Sequence, residues 1–251
     1  MGYTNSPLVN YKKISPNKTA NRKHKIDTIT IHHMAGNLTV EECGNVFAPT
    51  SRQASSNYGI GSDGRIGMYV EEKDRAWSSG GKDSKGNIIR VNGISGADND
   101  HRAITIEVAN NNTKTWSISD KAYKSLVALC VDICKRNGIA ELKWKGDKNL
   151  VGKVEQQNMT VHRWFSASLC PGDYLYNLHG QLAKDVNAQL KKPEPKKLTS
   201  GNDIIWELMN GKYKVKIENV DKAVKSLDKA KDNQDFNSLY WILYKLVNGN
   251  G

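Results

Sequence analysis

Apolar and β-branched polar residues alternate from Ile26 to His33, with Ile29 and Ile31 interleaved by Thr28 and Thr30. A period of two predicts a strand. Met34-Ala35-Gly36 ends it, and Thr39-Val40-Glu41-Glu42 predicts a short helix with Thr39 as N-cap and Glu42 three residues on. Residues 58–70 predict a hairpin around Ser62-Asp63-Gly64. The run Arg102-Ala103-Ile104-Thr105-Ile106-Glu107-Val108-Ala109 predicts a further strand, with one carboxylate, Glu107, among residues of buried type. Ala122, Leu126, Leu129, Cys130 and Ile133 fall near helical spacing, so residues 119–137 predict a helix that Gly138 ends. Met159-Thr160-Val161-His162 predicts a short strand, and the stretch from Asp173 to Leu190 a closing helix. Residues 1–25, polar and basic with Pro7 and Pro16, predict an arm laid over the surface; the Gly-rich residues 78–94 predict a long loop.

The pattern changes at Lys191-Lys192-Pro193-Glu194-Pro195-Lys196-Lys197, a stiff and solvated linker. Boundaries at 1–190, 191–198 and 199–251 follow. The last stretch has three short helical patterns and a core drawn from Trp206, Leu227, Trp241 and Leu246. The fold class expected is α/β, a sheet with helices, followed by a small C-terminal helical domain.

Length and composition narrow the function. The 251 residues allow one core of ordinary size and a small second one. No apolar run approaches the ~20 residues that span a bilayer, so no membrane partner is expected. The N-terminus lacks the basic start and apolar stretch of a secretory signal, which predicts a protein made in the cytoplasm and released by other means. Four cysteines do not make a disulfide scaffold, and Cys130 and Cys134 read as buried helix-face residues. The net charge of +11 lies mostly on the first 192 residues. With no zinc-finger spacing or Arg-rich helix, this argues for an anionic surface rather than a nucleic acid as partner.

The chemistry gathers at strand ends. His162 and Cys170, followed by Pro171-Gly172, offer an imidazole and a thiol, and Ile29-Thr30-Ile31-His32-His33 offers a second imidazole. Both donor types suit zinc, which takes four ligands and in catalytic sites keeps one position open. His32, His162 and Cys170 are therefore the predicted ligands of one zinc ion. His33, one residue on, points to the opposite strand face and serves packing or outer support.

These residues carry a resemblance. Ile29-Thr30-Ile31-His32-His33-Met34-Ala35-Gly36 and His162-x7-Cys170-Pro171-Gly172 resemble the first and last signatures of the zinc N-acetylmuramoyl-L-alanine amidases of the peptidoglycan-recognition type, which include many phage endolysins. The resemblance covers residues 25–190. It implies a mixed central sheet flanked by helices, with Ile104-Thr105-Ile106-Glu107 as the strand of the catalytic acid. Ala54-Ser55-Ser56-Asn57-Tyr58 and Ala76-Trp77-Ser78-Ser79-Gly80 match groove-lining segments, so Tyr58 and Trp77 are expected to contact substrate. Family members often carry His where Asn57 and Ser78 stand, and Lys or Thr where Ser168 stands. The implied function is hydrolysis of the amide between N-acetylmuramic acid and L-alanine in peptidoglycan. Zinc activates water, Glu107 moves its proton and Ser168 hydrogen-bonds the oxyanion. Residues 199–251 resemble small helical wall-binding modules; dimerisation is the rival role. The rival functions are a peptidoglycan-binding protein of the same fold that does not cut, and a nucleic-acid-binding protein with structural zinc.

Overall fold

Two parallel strands with alternating Ile residues set the frame of the molecule. The computed structural model describes residues 3–191, and the chain divides into two units between Lys192 and Pro193. The expected linker from residue 192 and the expected helical domain 199–251 lie outside the described residues. In chain order the elements are β1 (Tyr11–Lys12), β2 (Lys18–Thr19), β3 (Thr28–His33), α1 (Val40–Phe47), β4 (Tyr58–Ile60), β5 (Ile66–Met68) and β6 (Arg75–Ala76). They continue as β7 (Arg90–Val91), β8 (Ile94–Ser95), α2 (Gly96–Arg102), β9 (Ala103–Val108), α3 (Asp120–Asn137), β10 (Met159–Val161) and α4 (Gly172–Leu190). The main sheet has the order β1-β5-β4-β9-β3-β10. It is mixed: β4 and β5 are antiparallel, and the other neighbours are parallel. The mixed sheet flanked by helices is the architecture expected.

Register decides which side chains share a face. Ile29 lies beside Ile104, and Ile31 beside Ile106, which in turn lies beside Tyr58. These five are fully buried in one cluster with Leu126, Leu129 and Ile133 of α3 and Leu182 and Val186 of α4. Burying each such side chain contributes about 1.5–3 kcal/mol. The next row, His32, Glu107 and Gly59, therefore faces the other way. That second face is polar yet buried, and its groups pair: Thr30 Oγ1 lies 2.7 Å from Thr160 Oγ1, and Asn99 of α2 bonds both.

Helices α1, α3 and α4 form where the sequence predicts them. Thr39 and Glu42 form the capping box of α1, and Ser119 caps α3. Gly138 ends α3 at φ 68°, where a Cβ would be strained. Two expectations are corrected. The N-terminal arm is part of the structure, because β1 joins the main sheet and Arg22 is buried, donating to the carbonyls of Asp100 and Ala103 at 2.6 and 2.8 Å. The loop expected over 78–94 contains the β7–β8 ribbon, and directly beyond it lies α2, which the hydrophobic pattern does not signal. No helix among the described residues is long and apolar enough to cross a membrane.

An aromatic cluster pins α4 against the turn after β10. Trp144 stacks on Trp164, and His179 of α4 lies 4.5 Å from Trp144. His179 Nδ1 bonds the Leu175 carbonyl at 2.6 Å, while Nε2 is buried without a partner. Burial pushes its pKa down to about 4. The unfolded chain then binds more protons than the folded one between the folded value and the ordinary 6.5, so this group's stabilisation falls as the pH drops through that window. From pH 7 to pH 5 the loss attributable to His179 is about 2 kcal/mol. Urea unfolding of wild type and His179→Phe at both pH values checks it. The wild type should lose more stability on acidification, and equal losses would refute the assignment.

Candidate active site

The parallel strands β3, β9 and β10 end on one edge of the sheet, and the candidate chemistry sits there. His32 is the fifth residue of β3, and His162 begins the 3-10 turn that follows β10. Cys170 immediately precedes Pro171 and α4. The ligand atoms of His32, His162 and Cys170 all lie within 4.8 Å of one another. The three residues predicted from sequence are thus brought together as a group able to hold a metal ion.

The donor atoms are oriented by their surroundings. His32 Nδ1 lies 3.5 Å from Cys170 Sγ, while its Nε2 lies 3.0 Å from Ser78 Oγ. His162 bonds the Gly80 backbone and leaves Nε2 buried without a partner. An orphaned buried nitrogen beside a thiol and a second imidazole is the donor set that zinc takes. Burial, reinforced by the neighbouring imidazoles, pushes the pKa of His32 well down; burial also lowers that of His162. Both rings are therefore neutral and ready to donate a lone pair near pH 7. Burial raises the Cys170 thiol, as does nearby Glu107, and the His33 backbone opposes this. His33 turns its ring edge-to-face onto Trp116, which is packing, but it also lines the cleft, which the expectation of an opposite face does not cover.

Glu107 stands beside His32 in the register of β3 and β9. Part of the residue opens onto the cleft, but Oε2 is sealed and has no hydrogen-bond partner. Desolvation pushes its pKa up to about 8 against the weaker opposing pull of Arg52. The cleft, about 250 Å³, is lined by the three donors together with Glu107, Arg52, Trp77, Ser78 and Ser168 and by apolar side chains including Leu38 and Phe47. Ser168 Oγ accepts the Cys170 N–H at 3.1 Å, which leaves its own proton for another acceptor. Trp77 is fixed by Nε1 donating to Thr19 Oγ1 at 2.8 Å.

Tyr58 is a correction. It shares the core-facing row of Ile106, is fully buried, and donates its hydroxyl to Glu72 Oε1 at 2.6 Å. It does not line the cleft. Its role is to tie β4 to the buried Glu72, which also pairs with Arg136. Sequence reasoning passed over Arg52, which no spacing or motif marks.

Several solved structures are similar to this chain. PlyL shares 14% identity over 70% of this chain and 95% of its own, with a TM-score of 0.47. A selenomethionine AmpD derivative shares 16% over 73% and 99%, with a TM-score of 0.48. The amidase LysC from Clostridium intestinale shares 17% over 74% and 96%, with a TM-score of 0.40. No curated protein matches. The family described as N-acetylmuramoyl-L-alanine amidase matches residues 22–173, from the buried Arg22 through every strand of the site edge to the turn after Cys170. The chain belongs to the N-acetylmuramoyl-L-alanine amidase family.

Proposed function

We propose that the protein is an endolysin-like peptidoglycan hydrolase whose His32, His162 and Cys170 hold one zinc ion. The observation that carries this is the convergence of three donors within 4.8 Å beside an acid with an unpartnered oxygen. A protein that only binds peptidoglycan has no use for such an acid next to a metal position, which weighs against the non-cutting alternative. Donors drawn from strand ends far apart in sequence are also unlike the compact pairs of structural zinc modules, which weighs against nucleic-acid binding.

The scissile bond is the amide between the lactyl group of N-acetylmuramic acid and L-alanine. When bound, zinc supplies a Lewis acid and a water of lowered pKa. Glu107 takes the proton of the attacking water as the C–O bond forms. It then delivers that proton to the alanine nitrogen as the C–N bond breaks. The free hydroxyl proton of Ser168 is placed to hydrogen-bond the developing oxyanion. Trp77 offers an aromatic face to the sugar or the stem peptide. Residues 199–251 are proposed to hold the wall; self-association is the other role their composition allows.

Digestion of purified bacterial walls tests these assignments. The full chain should release free alanine amino groups and no new reducing ends, and a zinc chelator should abolish the release. New reducing ends would assign glycosidic cleavage instead, and chelator resistance would remove zinc. Residues 1–192 should cleave soluble muropeptides as the full chain does but work more slowly on intact walls. Equal rates on walls would remove the binding role of the tail.

A further inference from the structure

One loop serves both imidazoles. Ser78 Oγ meets His32 Nε2 at 3.0 Å, and two residues later the Gly80 backbone bonds His162. Each contact occupies the ring nitrogen that the donor set leaves over. A hydrogen bond at that nitrogen fixes the tautomer and the ring plane, and so the direction of the lone pair on the other nitrogen. The loop is itself fixed from α2. Asp100 is 1% exposed, and its Oδ2 accepts the N–H groups of Ser78 and Ser79 at 2.9 and 2.8 Å. Its Oδ1 is buried without a hydrogen-bond partner, so the two backbone N–H groups are what this carboxylate binds. The helix approaches so closely that a Cβ on Gly96 would lie 2.1 Å from the Ser79 carbonyl oxygen. Arg22, buried beneath, binds the Asp100 carbonyl.

We propose that Asp100 is a positioning residue for the metal: by clamping Ser78 and Ser79 it holds, through one loop, the outer hydrogen bonds of both His32 and His162. The inference rests on the zinc reading above. It explains why a carboxylate that does not line the cleft is buried beside it in α2. It also explains how Ser78, where relatives of the resembled type often carry His, contributes to the site.

The order of effects follows from the geometry. Ser78→Ala removes one outer partner and should weaken zinc binding about 10–100-fold. Asp100→Ala frees the loop and disturbs both rings, so it should weaken zinc more than Ser78→Ala does. Groups acting in one chain are not additive, so the double variant should be no weaker than Asp100→Ala alone. Asp100→Asn keeps an oxygen for both N–H groups, and Ser78→Thr keeps the hydroxyl; each should restore most of the affinity. The measurement is zinc affinity of the full chain by competition with a chromophoric chelator. The visible spectrum of the cobalt-substituted protein reads ligand geometry alongside it and should change in Asp100→Ala and Ser78→Ala alone. Zinc affinity and cobalt spectrum unchanged in a folded Asp100→Ala would overturn the proposal, as would fully additive losses. Should Asp100→Ala not fold, the decision passes to Ser78→Ala, Ser78→Thr and Asp100→Asn: weakening by the first with recovery by the other two supports it, and no weakening by the first overturns it. A wild type that takes up no zinc refutes the zinc reading, and this inference with it.

Discussion

Glu107→Gln is expected to keep the fold and the zinc while lowering turnover by a factor on the order of 10²–10⁴, the range of a general base. The reasoning starts from position. Glu107 lies next to His32 across the β3–β9 pairing, so its carboxyl is held by the sheet rather than by a mobile loop. Its Oε2 has no partner to give up before it accepts a proton. Desolvation places its pKa at about 8, within reach of neutral pH, where transfer in both directions is easy. Beside a divalent cation the same carboxyl ionises at lower pH, so activity should fall as the pH drops through a value below that figure. In Glu107→Gln this acidic limb should vanish from whatever rate remains. Gln is nearly isosteric and cannot move a proton, so a structural role would leave turnover largely intact. Turnover within tenfold of wild type at equal zinc content would place the base elsewhere.

The site was more legible in the sequence than its supports were. His32 and Glu107 sit near the ends of strands whose Ile–Thr alternation marks them, His162 follows the short strand Met159–Val161, and parallel strands bring such ends to one edge. Thr39 and Gly138 mark their helix ends in the sequence because a cap is a local feature of the backbone. Tyr58 was misread because its face depends on pairing with Ile106, a non-local fact that a one-residue slip would reverse. Helix α2 was missed because Gly96-Ala97-Asp98-Asn99-Asp100-His101-Arg102 has almost no apolar residue. Its stability comes from the Ser95–Asp98 capping box and from buried polar contacts of Asn99 and Asp100. The N-terminal arm hid for the same reason. Arg22, Ser15 and Asn17 look solvated in sequence, yet all three are buried because their hydrogen bonds are met by distant backbone.

Removing the thiol should be as damaging to the metal as removing Glu107 is to turnover. Cys170→Ser is expected to weaken zinc about 10²–10³-fold, if a binding free energy of about 10–16 kcal/mol is shared among four ligand positions. A serine hydroxyl fills nearly the same space but does not ionise near neutral pH, so the loss is of a charged ligand rather than of packing. The protonation states add a second and independent readout. Burial keeps the Cys170 thiol protonated in the metal-free protein, while it keeps His32 and His162 neutral. Zinc uptake at pH 7 should therefore draw a proton from Cys170 and none from either imidazole. Calorimetry in buffers of different ionisation enthalpy reads that proton directly, and Cys170→Ser should release one fewer. Thermal unfolding supplies the control, since free zinc buffered between the two dissociation constants should raise the Tm of wild type and hardly that of the variant. Equal zinc content and equal proton release in the two proteins would remove Cys170 from the ligand set. With it would go the reading of His162-x7-Cys170 as the closing half of the metal centre.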